Sequence, residues 1–314
     1  MPTARQGSFR LGRIAGVDLY LHWSWFIVAA IEIELKSGRY SSVLWSVLET
    51  LSLFLIVLVH EFGHAMACRQ TGGVANTILL WPLGGVAYVN PPQRPGAMLW
   101  SIAAGPLVNV ALFPFFAAAS RFAGSQGWEQ TQPDLYNFVL AVKFINLILL
   151  VFNLLPIYPL DGGQILRSLL WFVLGRGKSL AVATVIGFIG AAALVIYSLI
   201  SRSMWNLAIS AYMLMNCWSG FKGARTMLAQ EKLPRRQEFA CPSCLMAPPL
   251  GERWKCSNCS QVFDTFATAS VCPNCGAQYG KTMCLHCHQQ YPMAAWVTGQ
   301  HATARAAAAD PQGR

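Results

Sequence analysis

The chain has 314 residues, 54% hydrophobic and 11% charged, with a mean hydropathy of +0.42 and a net charge of +10. Soluble domains carry about 25% charged residues, so the composition excludes an ordinary soluble enzyme and indicates an integral membrane protein. Ten cysteines would suggest a secreted disulfide scaffold if evenly spread, but eight of them lie between 241 and 287, beyond a composition shift near Gly220.

In chain order, residues 1–18 read as a cytoplasmic leader, because MPTARQGSFRLGRIAGVDLY has arginines but no apolar core followed by a cleavage site. Spanning helices need about 17–25 apolar residues, and six segments qualify: 19–35, 44–69, 97–121, 135–156, 180–201 and 203–220. The last two are separated by Ser201–Ser203, which predicts a tight helical hairpin. The fold class expected is therefore an all-α polytopic membrane bundle of about six spans. Between spans two and three, GGVANTILLWPLGGVAYVNPP is too broken by Gly and Pro for a helix and predicts a re-entrant hairpin.

Basic residues set the orientation. With the N-terminus inside, the inside flanks hold Arg5, Arg10, Arg13, Arg69, Arg94, Arg167, Arg176 and Lys178, and the outside flanks Lys36, Arg39, Arg121 and Arg202. The expectation is a multi-pass protein of the cell membrane with its N-terminus and tail cytoplasmic.

Span two ends in LSLFLIVLVHEFGHAMACRQ, which sets His60, Glu61 and His64 in the pattern H-E-x-x-H. Residues four apart share a helix face, so both imidazoles can reach one metal ion, and Glu61 is placed to take a proton from water activated there. Such groups are expensive inside an apolar helix and mark function. A catalytic zinc site needs three protein ligands and one open position. Besides Glu61, the topology brings two carboxylates to the inside surface. Arginine pairing accounts for Asp18, whereas Asp161 sits in a turn shaped by Pro156, Pro159, Gly162 and Gly163 and is the better third ligand. Span three contains AGPLVN, with Gly105, Pro106 and Asn109; taken alone it is a Pro-kinked helix with a small-residue packing face.

HEFGH, the GPxxN-like Gly105, Pro106 and Asn109, and NLLPIYPLDGG together resemble the site-2 protease family of intramembrane zinc metallopeptidases, over residues 15–220. The resemblance implies zinc held by His60, His64 and Asp161, Glu61 as catalytic base, and a transmembrane protein segment as substrate. It implies that Asn153, with Asn109, orients the substrate or the site. Tyr158 stands where many relatives carry a second proline. A strand near Val86–Val89 is expected to hold the unwound substrate by edge addition. His22 reads as an interfacial residue among tryptophans, Lys143 as snorkelling or pairing with Glu49, and Cys68 and Cys217 as small buried groups.

The tail carries four C-x-x-C pairs: Cys241/Cys244, Cys256/Cys259, Cys272/Cys275 and Cys284/Cys287. They predict a double zinc-ribbon domain over 241–291, with two structural zinc ions beside the catalytic one. Neighbouring pairs could close two sites in series, or the two inner pairs one site and the outer pairs another, with His286 and His288 as substitute ligands. Residues 222–240 are expected to be a linker and 292–314 a disordered tail. Residues 222–314 hold ten Lys/Arg against five Asp/Glu, without an arginine cluster, so nucleic-acid binding is unsupported and docking of a cytoplasmic partner is the expected role. An intramembrane metalloprotease domain over 19–221 is the leading reading. A catalytically inactive zinc-binding scaffold acting through its ribbons is the alternative, disfavoured by the intact Glu61. A metal transporter would require polar residues along several spans rather than one cluster.

Overall fold

The computed structural model describes residues 7–36, 38–81, 84–287 and 289–297, with the side chain of Trp205 excepted. Arg5, His288 and the terminal stretch from 298 onward therefore lie outside the described residues, as does the hairpin tip at Pro82 and Leu83. The chain divides into two compact units, Met1–Arg225 and Thr226–Arg314.

The first unit corrects the all-α expectation. Strands β1 (Ser8–Ile14), β2 (Val17–His22), β3 (Val74–Trp81) and β4 (Gly84–Asn90) form one sheet in that order. The β1–β2 and β3–β4 pairs are antiparallel, and β2–β3 is parallel. The supposed leader is thus a hairpin, turned at Ala15 and Gly16, both at positive φ as a two-residue hairpin turn requires. In β2, Val17, Leu19 and Leu21 are buried while Asp18, Tyr20 and His22 are half-buried, a period of two that a mean over 19–35 conceals. The first expected span is therefore β2 followed by α1 (Ser24–Leu35), whose 12 residues extend about 18 Å, short of a hydrocarbon core of about 30 Å. The expected loop between spans two and three is the β3–β4 hairpin.

The helices are α2 (Val43–Gln70), α3 (Pro95–Ser125), the single turn α4 (Trp128–Thr131), α5 (Pro133–Leu154), α6 (Asp161–Leu174), α7 (Arg176–Ile200) and α8 (Met204–Glu231). Among the described residues, four helices are long and apolar enough to cross a membrane: α2, α3, α5 and α7. Helices α7 and α8 meet through the expected short hairpin, where Ser198 and Ser210 share a hydrogen bond. The buried face of the sheet packs on the second half of α2, joining Val17, Leu19, Ile78 and Leu80 to Ala65 and Cys68.

Several charged and polar groups in and beside the spans are paired. Asp18 binds Arg10 at 2.6 Å, as expected. Glu49 is held by Lys36 at 3.1 Å, Arg39 at 3.7 Å and the Tyr40 hydroxyl, so it does not serve Lys143, which donates to Ser120 Oγ at 3.2 Å. Cys68 and Cys217 are buried, and His22 bonds Ser24.

In the second unit, strands β5 (Trp254–Lys255) with β6 (Val262–Phe263) and β7 (Thr282–Met283) with β8 (Gln290–Tyr291) make two small hairpins. Met293–Trp296, assigned to a disordered tail, instead forms a short 3-10 helix whose Trp296 is buried against Phe266. Of the expected linker, residues 222–231 are the end of α8, and Phe239 bridges to Val297.

Arg69, at the end of α2, ties the sheet to the helix by donating to the carbonyls of Ala15, Gly16 and Ala75, the last two at 2.9 Å. Arg69→Ala removes all three of these bonds. It is expected to destabilise the β1–β2 hairpin by about 2 kcal/mol, read as faster amide exchange in residues 8–22 with little change in α5 and α7.

Candidate metal centre

The first unit brings three sequence-predicted ligands together. His60 and His64 lie one turn apart on α2, and Asp161 opens α6 after α5 has returned along the bundle. Asp161 Oδ2 is 3.0 Å from His60 Nε2 and 3.3 Å from His64 Nε2, and the two Nε2 atoms are 3.2 Å apart. Ligand bonds of 2.0–2.2 Å at tetrahedral angles set donor atoms about 3.3 Å apart, so the spacing is that of three ligands on one zinc ion. Asp161 is the first residue of α6 and not its cap. A side chain at 162 would meet the Leu154 carbonyl at 2.3 Å, so the turn that aims Asp161 depends on glycine there.

The outer faces of the imidazoles explain why their inner nitrogens are bare. His64 Nδ1 donates to the Ser101 carbonyl at 2.9 Å, and His60 Nδ1 to Asn109 Oδ1 at 2.6 Å. A neutral imidazole that keeps its proton on Nδ1 presents a lone pair at Nε2. Two lone pairs and a carboxylate converging within 3.3 Å demand positive charge between them. Two imidazoles and one carboxylate are a zinc donor set with an open fourth position, and the residues fit the metal.

Gly105, Pro106 and Asn109 of the GPLVN stretch border this site. A Cβ at Gly105 would lie 2.3 Å from His64 Nε2 and 2.8 Å from His60 Nε2, so only glycine lets α3 pass over the ligands. Pro106 interrupts the helical ladder one turn beyond Ser101, whose carbonyl receives His64. Asn109 is fully buried behind His60, bonded to its Nδ1 and outside the lining of the cavity. Its partner Asn146 on α5, also fully buried, was missed; the signal available was an asparagine in the apolar middle of a span.

Glu61 faces a cavity of about 400 Å³ that Asn153, Trp81, Tyr212 and Asn216 also line. Its Oε2 accepts the Ala87 N–H of β4 at 2.8 Å. A Cβ at Gly85 would sit 2.3 Å from Glu61 Cγ, so the start of β4 must be glycine to cross above the carboxylate. Strand β4 ends the sheet, with β3 on one edge and the cavity on the other.

In the second unit, Cys241, Cys244, Cys284 and Cys287 form one cluster and Cys256, Cys259, Cys272 and Cys275 another. The inner pairs join each other and the outer pairs close around them. Sulfur separations are 3.6 and 3.8 Å in the outer cluster and 3.6 Å in the inner, against about 3.8 Å for four thiolates on one zinc ion. All ten cysteines are free thiols. The Tyr279 hydroxyl donates to Cys256 Sγ at 3.0 Å and pulls that thiol down to about 6, whereas burial pushes Cys287 up to about 11. His286 belongs to neither cluster.

Gly105→Ala is expected to force both imidazoles aside. Metal analysis should find one zinc ion per chain fewer than in the wild type, with the cysteine-bound metal unchanged.

Residues 49–130 and 122–197 match the model of peptidase family M50. The chain is 32% identical over 205 residues to zinc metalloprotease MJ0392 of Methanocaldococcus jannaschii, covering 65% of this chain and 58% of that protein. It is 33% identical over 173 residues to the putative zinc metalloprotease Rip3 of Mycobacterium tuberculosis, covering 51% and 43%. The chain thus spans about half the length of these curated relatives. The solved structure of the site-2 protease from Methanocaldococcus jannaschii superposes with a TM-score of 0.50 at 29% identity, covering 68% of this chain and 95% of that one. The membrane unit, in which His60, His64 and Asp161 converge, belongs to peptidase family M50, the site-2 protease family.

Proposed function

We propose that the protein is an intramembrane zinc endopeptidase that cleaves transmembrane segments of other membrane proteins, with its N-terminus and ribbon tail on the cytoplasmic side. The observation that carries this reading is the carboxylate of Glu61 on the wall of a cavity shared with His60, His64 and Asp161. In this reading His60, His64 and Asp161 hold the metal. Zinc bound there supplies Lewis acidity, lowering the pKa of water to about 7 and polarising a carbonyl oxygen.

The chain's own groups do the rest. Glu61 takes the proton that water gives up as it attacks the scissile carbonyl and returns it to the leaving nitrogen. Ala87 N–H fixes one carboxylate oxygen and leaves the other for that transfer. A helical substrate hides its carbonyls in hydrogen bonds, so it must unwind. The free edge of β4 beside the cavity offers the unwound peptide a strand to pair with, and Asn153 orients it from the opposite wall. The bundle around the site keeps bulk water and lipid from the reacting atoms.

The two cysteine clusters serve as structural zinc sites. Four thiolates close the coordination sphere and supply folding energy to a tail with a small core. In this reading the ribbons dock a cytoplasmic partner. An inactive scaffold would have no use for a base aimed into the cavity.

Glu61→Gln keeps the shape and removes the base. Cleavage of a membrane-anchored reporter is expected to fall at least about a hundredfold with zinc content unchanged, and undiminished cleavage would refute the enzymatic reading. Metal analysis of purified protein should give three zinc ions per chain, falling to one when the ribbon cysteines are replaced by serine. Three ions retained in that variant would refute the ribbon sites.

A further inference from the structure

The two histidines are anchored differently. His64 donates directly to a main-chain carbonyl, that of Ser101, which only accepts. His60 donates to the side-chain oxygen of Asn109, and an amide presents an acceptor at one end and a donor at the other. Were the Asn109 amide reversed, its NH2 group would face His60 Nδ1. The imidazole would then shift its proton to Nε2, the atom that faces Asp161 Oδ2 and His64 Nε2.

Asn146 on α5 removes that freedom. Asn109 Nδ2 donates to Asn146 Oδ1 at 2.8 Å, and Asn146 Nδ2 donates to the main-chain carbonyl of Asn109 at 3.0 Å. That carbonyl only accepts, so it fixes which end of the Asn146 amide points toward it. The Asn146 amide then fixes Asn109, and Asn109 fixes His60. Both histidines are therefore anchored on main-chain carbonyls of α3, one directly and one through two amides. Asn109 and Asn146 are 0% exposed and His60 is 2% exposed, so no water competes for these bonds. Asparagine in an apolar span carries a cost that this network offsets by giving each amide oxygen and nitrogen a partner.

We propose that Asn146 is a positioning residue of the metal centre, setting the Asn109 amide and thereby holding His60 in the tautomer that presents the Nε2 lone pair to zinc. The proposal rests on the reading of His60 as a zinc ligand. It has a consequence that a packing role lacks. A carboxylate at 109 has two equivalent oxygens and needs nothing to orient it, so in that background residue 146 no longer matters to His60.

The test uses full-length protein and measures the affinity of the histidine-bound zinc ion by chelator competition, with the cysteine-bound zinc as an internal control of folding. Asn146→Leu alone is expected to weaken zinc binding about ten- to hundredfold. The same substitution combined with Asn109→Asp should change affinity less than threefold relative to Asn109→Asp alone. Unchanged affinity in Asn146→Leu, or an equal loss in both backgrounds, overturns the relay. Retention of the third zinc ion in His60→Ala would instead overturn the assignment of His60 as a ligand.

Discussion

Three electron-rich atoms face one another at 3.0–3.3 Å in the interior of the membrane unit. Such a cluster is stable only if positive charge sits at its centre and the groups behind it hold each donor in place. Much of the unit serves this constraint. The outer nitrogens of both imidazoles are committed to acceptors on α3, glycine at 105 admits the rings, and the turn before α6 delivers the carboxylate. Ligands from two helices and anchors from two more explain why the site occurs where α2, α3, α5 and α6 converge.

The sheet belongs to the same arrangement. Its inner face packs on the part of α2 that carries the ligands, so the strand at its end is set beside Glu61 at hydrogen-bonding distance. Helix α2 holds Glu61, and the outer edge of β4 borders the cavity. The second unit follows different physics. Its thiols come in nested pairs, and its core is a few aromatic rings around them.

The expectation of an all-helical chain failed at the amino-terminal strands for an identifiable reason. Hydropathy averaged over a span-length window cannot distinguish a short strand followed by a short helix from one long helix. The alternation of Val17, Leu19 and Leu21 with polar neighbours was visible in VDLYLH only at a period of two. Trp296 was assigned to disorder because alanine-rich sequence follows it, whereas its ring closes the ribbon core.

The sequence by itself determined the membrane character, the spacing of His60, Glu61 and His64, the turn that exposes Asp161, and the four cysteine pairs. Each is local: helical periodicity, turn chemistry and ligand spacing act over a few residues. Tertiary structure alone decided which cysteine pairs join, since sulfur pairing depends on the path of the intervening chain. It also decided that Asn109 stands behind His60, and that Asn146 takes part at all. Those roles come from contacts 37 and 49 residues apart in the chain, a separation over which side-chain spacing carries no information and only the packing of α3 and α5 against α2 does.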